Sequence, residues 1–130
     1  MRFIGAVFLV LLLSQSAASA ATIHDEEYCN ENQAQMAECA TERADAADAE
    51  LNQLYKELMS QQAADSKQQL RDAQKAWIVF RDKQCAWEAD QFKGGSMRSM
   101  IYSDCLRRLT IHRNTYFQTC GEGGCGGPKP

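Results

Sequence analysis

The sequence predicts an all-α fold, a small disulfide-stapled bundle of about three antiparallel helices. Three observations predict it. Apolar residues recur at steps of three and four, the spacing of one helical face. No segment alternates with the period of a strand, and no internal repeat occurs. Six cysteines, all after residue 28, lie in a chain of 130 residues, a size at which cross-links supplement a small core.

The N-terminus stands apart from the fold. Arg2 is a short basic region, Phe3 to Leu13 form an apolar run, and Ala18-Ser19-Ala20 is a small-residue cleavage site. This is the pattern of a signal peptide over 1–20, with a run too short to span a membrane. No cysteine follows the expected cut, so no lipid or membrane anchor is expected and the location is periplasmic or secreted. The rest divides into one helical domain over 21–119 and a Gly/Pro-rich tail over 120–130.

Ala21 to Tyr28 read as an exposed, mobile leader containing His24. The first helix is expected from about Asn30 to Met59, with Met36, Ala40, Ala44, Ala47, Leu51, Leu54 and Leu58 on one face. Ser60 to Ala64 is the break. Ser66 with Gln69, or Asp65 with Gln68, has capping-box spacing and marks the next start. That helix runs to about Phe92, with Leu70, Ala73, Trp77, Phe80, Gln84 and Trp87 along its inner side. Lys93-Gly94-Gly95-Ser96 ends it, with glycine suited to a left-handed helix end and the serine able to cap the next helix. A third helix from about Met97 to Gln118 carries Met97, Ile101, Cys105, Leu109, Tyr116 and Phe117 inward. After Cys120 the composition reads as a mobile tail.

The cysteines constrain one another. Cys39, Cys85 and Cys105 fall at the same end of an antiparallel bundle. Cys120 lies about 22 Å farther along the third helix, beyond the ~7 Å reach of a bridge. Its partner is therefore Cys125. Among the other four, Cys39–Cys85 with Cys29–Cys105 is preferred, and Cys29–Cys85 with Cys39–Cys105 is nearly equivalent. Cys29–Cys39 with Cys85–Cys105 needs the ten intervening residues to bend, since a helix of that length spans ~15 Å. Each bridge of intermediate loop length is worth roughly 3–4.7 kcal/mol in the chain-entropy model.

Charge is unevenly placed. Residues 21–65 hold eleven acidic and two basic residues, whereas 66–130 hold six acidic and eleven basic. Either the acidic helix packs beside basic ones and the fields cancel, or an acidic face remains to attract a cationic partner. No basic patch with interleaved aromatics supports nucleic-acid binding. No nucleophile motif accompanies His24 or His112, and no HExxH, P-loop or GxGxxG motif occurs, so neither an enzyme nor a cofactor or metal site is expected.

Polar residues do recur inside the helical pattern. Asp48, Asn52 and Tyr55 share a face, as do Gln74, Trp77 and Arg81, and Arg113 lies near Tyr116. They suggest a polar network between helices in which Asp48 accepts from Arg81 or Arg113, because a carboxylate suits the planar fork of arginine. The same residues also allow a ligand site.

Cys39, Asp48, Leu51, Asn52, Tyr55, the run Leu70, Arg71, Ala73, Gln74, Ala76, Trp77, Phe80, Arg81 and Cys85, then Gly94-Gly95-Ser96, Cys105 and Arg113 resemble the LprI-type lysozyme inhibitor family. The resemblance covers about Cys29 to Tyr116. It implies a small, helical, exported protein of a family with at least one lysozyme-inhibiting member and no established catalytic residues. The Cys120 to Cys125 tail departs from the common pattern. The resulting expectation is an exported binding protein that inhibits lysozyme-type peptidoglycan hydrolases. The alternative is an envelope interaction or immunity-type module without such inhibition. The acidic excess would steer a cationic lysozyme, with Glu31, Glu38, Glu42 and Asp45 and the loop Gly94, Gly95 and Ser96 as candidate contacts.

Overall fold

A computed structural model of the chain describes residues 24–125. The expected signal peptide at 1–20 and residues 126–130 of the expected tail lie outside them. A 3-10 turn, Tyr28–Asn30, precedes three long helices: α1 (Gln33–Ser60), α2 (Ala64–Asp90) and α3 (Arg98–Thr119). A π-helical turn, Cys120–Gly124, extends α3. No strand occurs among the described residues. The fold class is the expected one.

Each boundary has a local cause. Asn32 is extended at φ −156° and ψ 169°, and its Oδ1 accepts from the amides of Ala34 and Gln35. That cap satisfies two otherwise orphaned donors and starts α1 three residues later than expected. α2 starts after extended Ala63 without a side-chain cap. Alanine has the highest helix propensity, so the helix reaches back through Ala64 and bypasses both expected capping boxes. Gly94 has φ +83°, the left-handed conformation expected after α2. Ser96 does not cap α3; Met97 occupies that position with no side-chain bond.

α3 lies against both other helices, while α1 and α2 touch each other little. At one end Leu51, Leu58, Phe117 and Cys120 form a buried cluster, with Leu54, Tyr55, Leu70 and Trp77 packed against it. Toward the other end the buried apolar residues are small: Cys39, Ala44, Ala47, Cys85, Ala89 and Cys105. Small side chains let helices approach closely but bury little area, so covalent links matter most there.

The bridges are Cys29–Cys39, Cys85–Cys105 and Cys120–Cys125. The last is as expected. The preferred Cys39–Cys85 with Cys29–Cys105, and its exchange, are both wrong. Cys39 stands one residue before Ala40, about 100° around α1 from the stripe that meets α3. It therefore faces the leader, not α2. The segment between Cys29 and Cys39 does bend, at Asn32, and brings the two Cα atoms to 5.8 Å.

The second bridge also explains a misjudged helix face. Ala73, Phe80 and Trp87 were expected inside α2, yet Phe80 is 55% and Trp87 63% exposed, and Ala73 is exposed. The buried residues of α2 are Gln74, Arg81, Cys85 and Ala89. Both stripes have helical spacing. Cys85 belongs to the second, and its bond to Cys105 fixes the rotation of α2, turning Arg81 and Gln74 inward. On α3, Met97 and Tyr116 are likewise exposed, while Ser103, Thr110, Asn114 and Phe117 are buried.

Candidate partner-binding surface

The leader is fastened to the acidic face of α1. Besides the Cys29–Cys39 bridge, His24 Nδ1 lies 2.8 Å from Glu42 Oε1, and the His24 ring stacks on Tyr28 with centroids 4.0 Å apart. Tyr28 Oη donates to Glu38 Oε2 at 2.7 Å, and Arg43 pairs with Glu26. His24 is thus held in place, contrary to the expected mobile leader. The bond from His24 holds the Glu42 carboxyl below its usual range. The Glu38 carboxylate holds the Tyr28 phenol above its ordinary value.

Two of the four candidate acidic contacts, Glu38 and Glu42, therefore already have partners in the leader. Glu31 accepts from Gln35, and Asp45 is exposed. His24, Cys39 and Glu42 converge as metal-ligating types do, but the Cys39 sulfur is in a disulfide and offers no thiolate. The loop residues Gly94, Gly95 and Ser96 are exposed at the end of the bundle opposite the leucine and aromatic cluster.

The polar residues between the helices form two nodes around Trp77. In the first, Arg81 is 8% exposed. Its Nη1 donates to Asp48 Oδ1 at 2.6 Å and to Thr110 Oγ1 at 3.1 Å, and its Nε donates to Asp82 Oδ1 at 3.0 Å. The charge is matched and the three helices are tied together. Thr110, Ser103 and Asn114 were missed from sequence. Ser103 bonds Thr41, and Asn114 Nδ2 donates to the Ala47 carbonyl and to Glu50. Their shared spacing of seven and four residues along α3 is the signal that could have found them.

In the second node Arg113 Nε donates to Gln74 Oε1 at 3.1 Å. The Arg113 guanidinium carbon lies 4.5 Å from the Phe117 ring centroid and 5.5 Å from those of Trp77 and Tyr116. Arg81 approaches the Trp77 ring at 5.3 Å. Burial pulls the Arg113 pKa down from its ordinary value, and no carboxylate among the described residues offsets it. Tyr55 packs near Phe117, with centroids 6.4 Å apart. Asn52 is exposed and makes no side-chain hydrogen bond among the described residues, so it joins neither node.

The family model for lysozyme inhibitor LprI matches residues 25–116, which include the first node, the second node except Phe117, and most of the leader clamp. The chain belongs to the LprI lysozyme inhibitor family. A relative, an uncharacterized protein of Rhizobium meliloti (strain 1021), is 38% identical over 88 residues, covering 58% of this chain and 63% of that protein. The chain thus spans less than two thirds of that relative's length. No solved structure matches the chain. The LprI family is one of inhibitors, which directs attention to surfaces that meet a protein rather than to a catalytic pocket.

Proposed function

We propose that this protein is exported and inhibits lysozyme-type peptidoglycan hydrolases by binding them directly. The observation that carries the reading is the family match over residues 25–116. The three disulfides agree with an oxidising compartment outside the cytosol.

The charge distribution supports a cationic partner. Among the described residues, Arg81–Asp48 is the one ion pair joining acidic α1 to basic α2 and α3. The other paired arginines of α2 and α3 find their carboxylates within those two helices: Arg98 with Asp90, Arg107 with Asp104, Arg108 with Glu88 and Asp104. The excess on α1 is therefore not cancelled by ion pairing. It would raise the encounter rate with a cationic enzyme and fade with salt, because the screening length falls from ~10 Å at 0.1 M to ~3 Å at 1 M. Glu31 and Asp45 are the proposed acidic contacts. Glu38 and Glu42 contribute to the same field while holding the leader, and the Gly94–Ser96 turn is a second proposed contact.

The test is a cell-wall clearing assay with purified full-length protein against several lysozyme types. Slower clearing at low salt, relieved by added salt, is expected. Unchanged clearing at a large molar excess of protein at low salt would overturn the reading.

A further inference from the structure

We propose that Arg113 is a receiving site for a carboxylate side chain of the protein partner, seated on a floor formed by Trp77, Tyr116 and Phe117. The inference rests on the proposed inhibitory function for the identity of the partner, and on geometry for the chemistry of the site.

Arg113 differs from the other arginines in the interhelical contacts. Arg43, Arg81, Arg98, Arg107 and Arg108 each hold a carboxylate. Arg71, on the exposed side of α2, bonds only Gln68. Arg113 is half-buried, yet its protein acceptor is a neutral amide. Gln74 is itself only 7% exposed, so it fixes the Nε side of the guanidinium from within. The two Nη nitrogens have no protein acceptor among the described residues, and neither is a sealed, unsatisfied atom. They keep solvent access.

The result is a guanidinium plane held by one internal bond and three rings, with its outer fork open. Arginine presents donors in a geometry that matches a carboxylate through two parallel bonds. Because the fork is already ordered, little side-chain freedom is lost when a carboxylate arrives. The aromatic floor lowers access of water around it, which strengthens the contact. Arginine with tryptophan and tyrosine is also the composition of residues that dominate binding at protein interfaces. Tyr116, 49% exposed, forms the rim.

The site can be tested with a minimal probe. N-acetylglutamate α-methylamide carries one charge, on its side chain; N-acetylglutamine α-methylamide is its neutral counterpart. Titrated into full-length protein, the glutamate probe is expected to shift the Arg113 Nε–H and Trp77 indole N–H resonances saturably. The glutamine probe is expected to leave them unmoved. Equal responses to both probes, or a response confined to Arg71 and the surface lysines, would overturn the proposal. Q74E supplies an internal carboxylate and should suppress the response while Arg113 remains, which covers the case of an Arg113 variant that folds poorly.

The partner arm uses any lysozyme that the wild-type chain inhibits. R113Q should weaken inhibition about 10- to 100-fold, and R113K should not restore it in full, because lysine lacks the planar fork. Unchanged inhibition by R113Q overturns this proposal and leaves the inhibitory function intact. A specific response to the glutamate probe without inhibition of any lysozyme has the opposite meaning. It supports the carboxylate site and overturns the inhibitory function.

Discussion

Two arginines flank the same tryptophan and have different surroundings. Arg81 is buried and meets Asp48, Asp82 and Thr110. Arg113 lies over Trp77, Tyr116 and Phe117 and meets the amide of Gln74. The first node is closed: its charge is matched and it joins all three helices. The second is open: it is positioned but not matched in charge. The contrast separates residues that hold the fold from residues left able to do something else, although all belong to one polar pattern.

The largest expected effect comes from removing the clamp beside the closed node. Cys85 lies one turn from Arg81 and fixes the rotation of α2 against α3. Replacing Cys85 and Cys105 together by alanine should cost about 3 kcal/mol in a denaturant melt, the value for a loop of this order. It should also raise hydrogen exchange along α2, because the competing apolar stripe of Phe80 and Trp87 can then turn inward. Replacing Cys29 and Cys39 should leave α2 protected and expose only residues 24–32 and the first turns of α1. Equal exchange in α2 of both variants would refute this assignment.

Next in size is R81M. It should destabilise by about 1–3 kcal/mol, through lost hydrogen bonds and altered contact with Trp77. The effect falls below that of breaking a fully buried pair because the Asp48 side chain is 45% exposed and can hydrate when left alone. R113M should cost less than about 1 kcal/mol, the scale of a partly exposed cation–π contact. Matched losses in urea melts of R81M and R113M would remove the distinction between closed and open nodes.

Much of this architecture was legible in the sequence. The breaks near Ser60 and Gly94, the three helices and the Cys120–Cys125 bridge follow from periodicity, turn chemistry and reach. The rotation of α2 was not legible, because Ala73, Phe80 and Trp87 form a stripe as regular as Gln74, Arg81, Cys85 and Ala89. Hydrophobicity favours the former; a covalent bond selects the latter. The pairing of Cys29 with Cys39 was hidden by one cap. A helix assumed to start near Asn30 keeps these cysteines apart, whereas Asn32 breaks the chain between them. At the polar nodes, spacing offered Asp48 to either arginine. Only the packing of α3 between the other helices decides that Arg81 takes it and Arg113 does not.

A smaller change should convert one node into the other. Q74E places a carboxylate where Arg113 Nε now meets an amide. The new pair is half-buried, so its stabilising attraction is offset by desolvation and the melt should shift by less than about 1 kcal/mol. Partner affinity should fall, since the Arg113 charge would then be matched from within. A variant of unchanged stability and unchanged affinity would show that the fork is not the point of contact.

The smallest effect is expected from acid, which distinguishes contacts held by carboxylates from those held by amides. Hydrogen bonds from Gln84 and Arg108 hold the Glu88 carboxyl below its usual range. Its folded-state pKa thus lies below the unfolded value. The stability it contributes is complete above the unfolded pKa and disappears as pH falls through the folded one. Acidification through and below the ordinary carboxylate range should therefore loosen the Glu88–Arg108 link between α2 and α3. E88Q should remove that part of the pH dependence. The Arg113–Gln74 bond contains no group that titrates there, so its Nε–H protection should stay constant until the bundle itself opens. Parallel loss of the Arg108 and Arg113 side-chain signals, well before global unfolding, would contradict this separation. Sequential loss, Arg108 first, would show that the open node is held by neutral and aromatic contacts and owes nothing to an internal carboxylate.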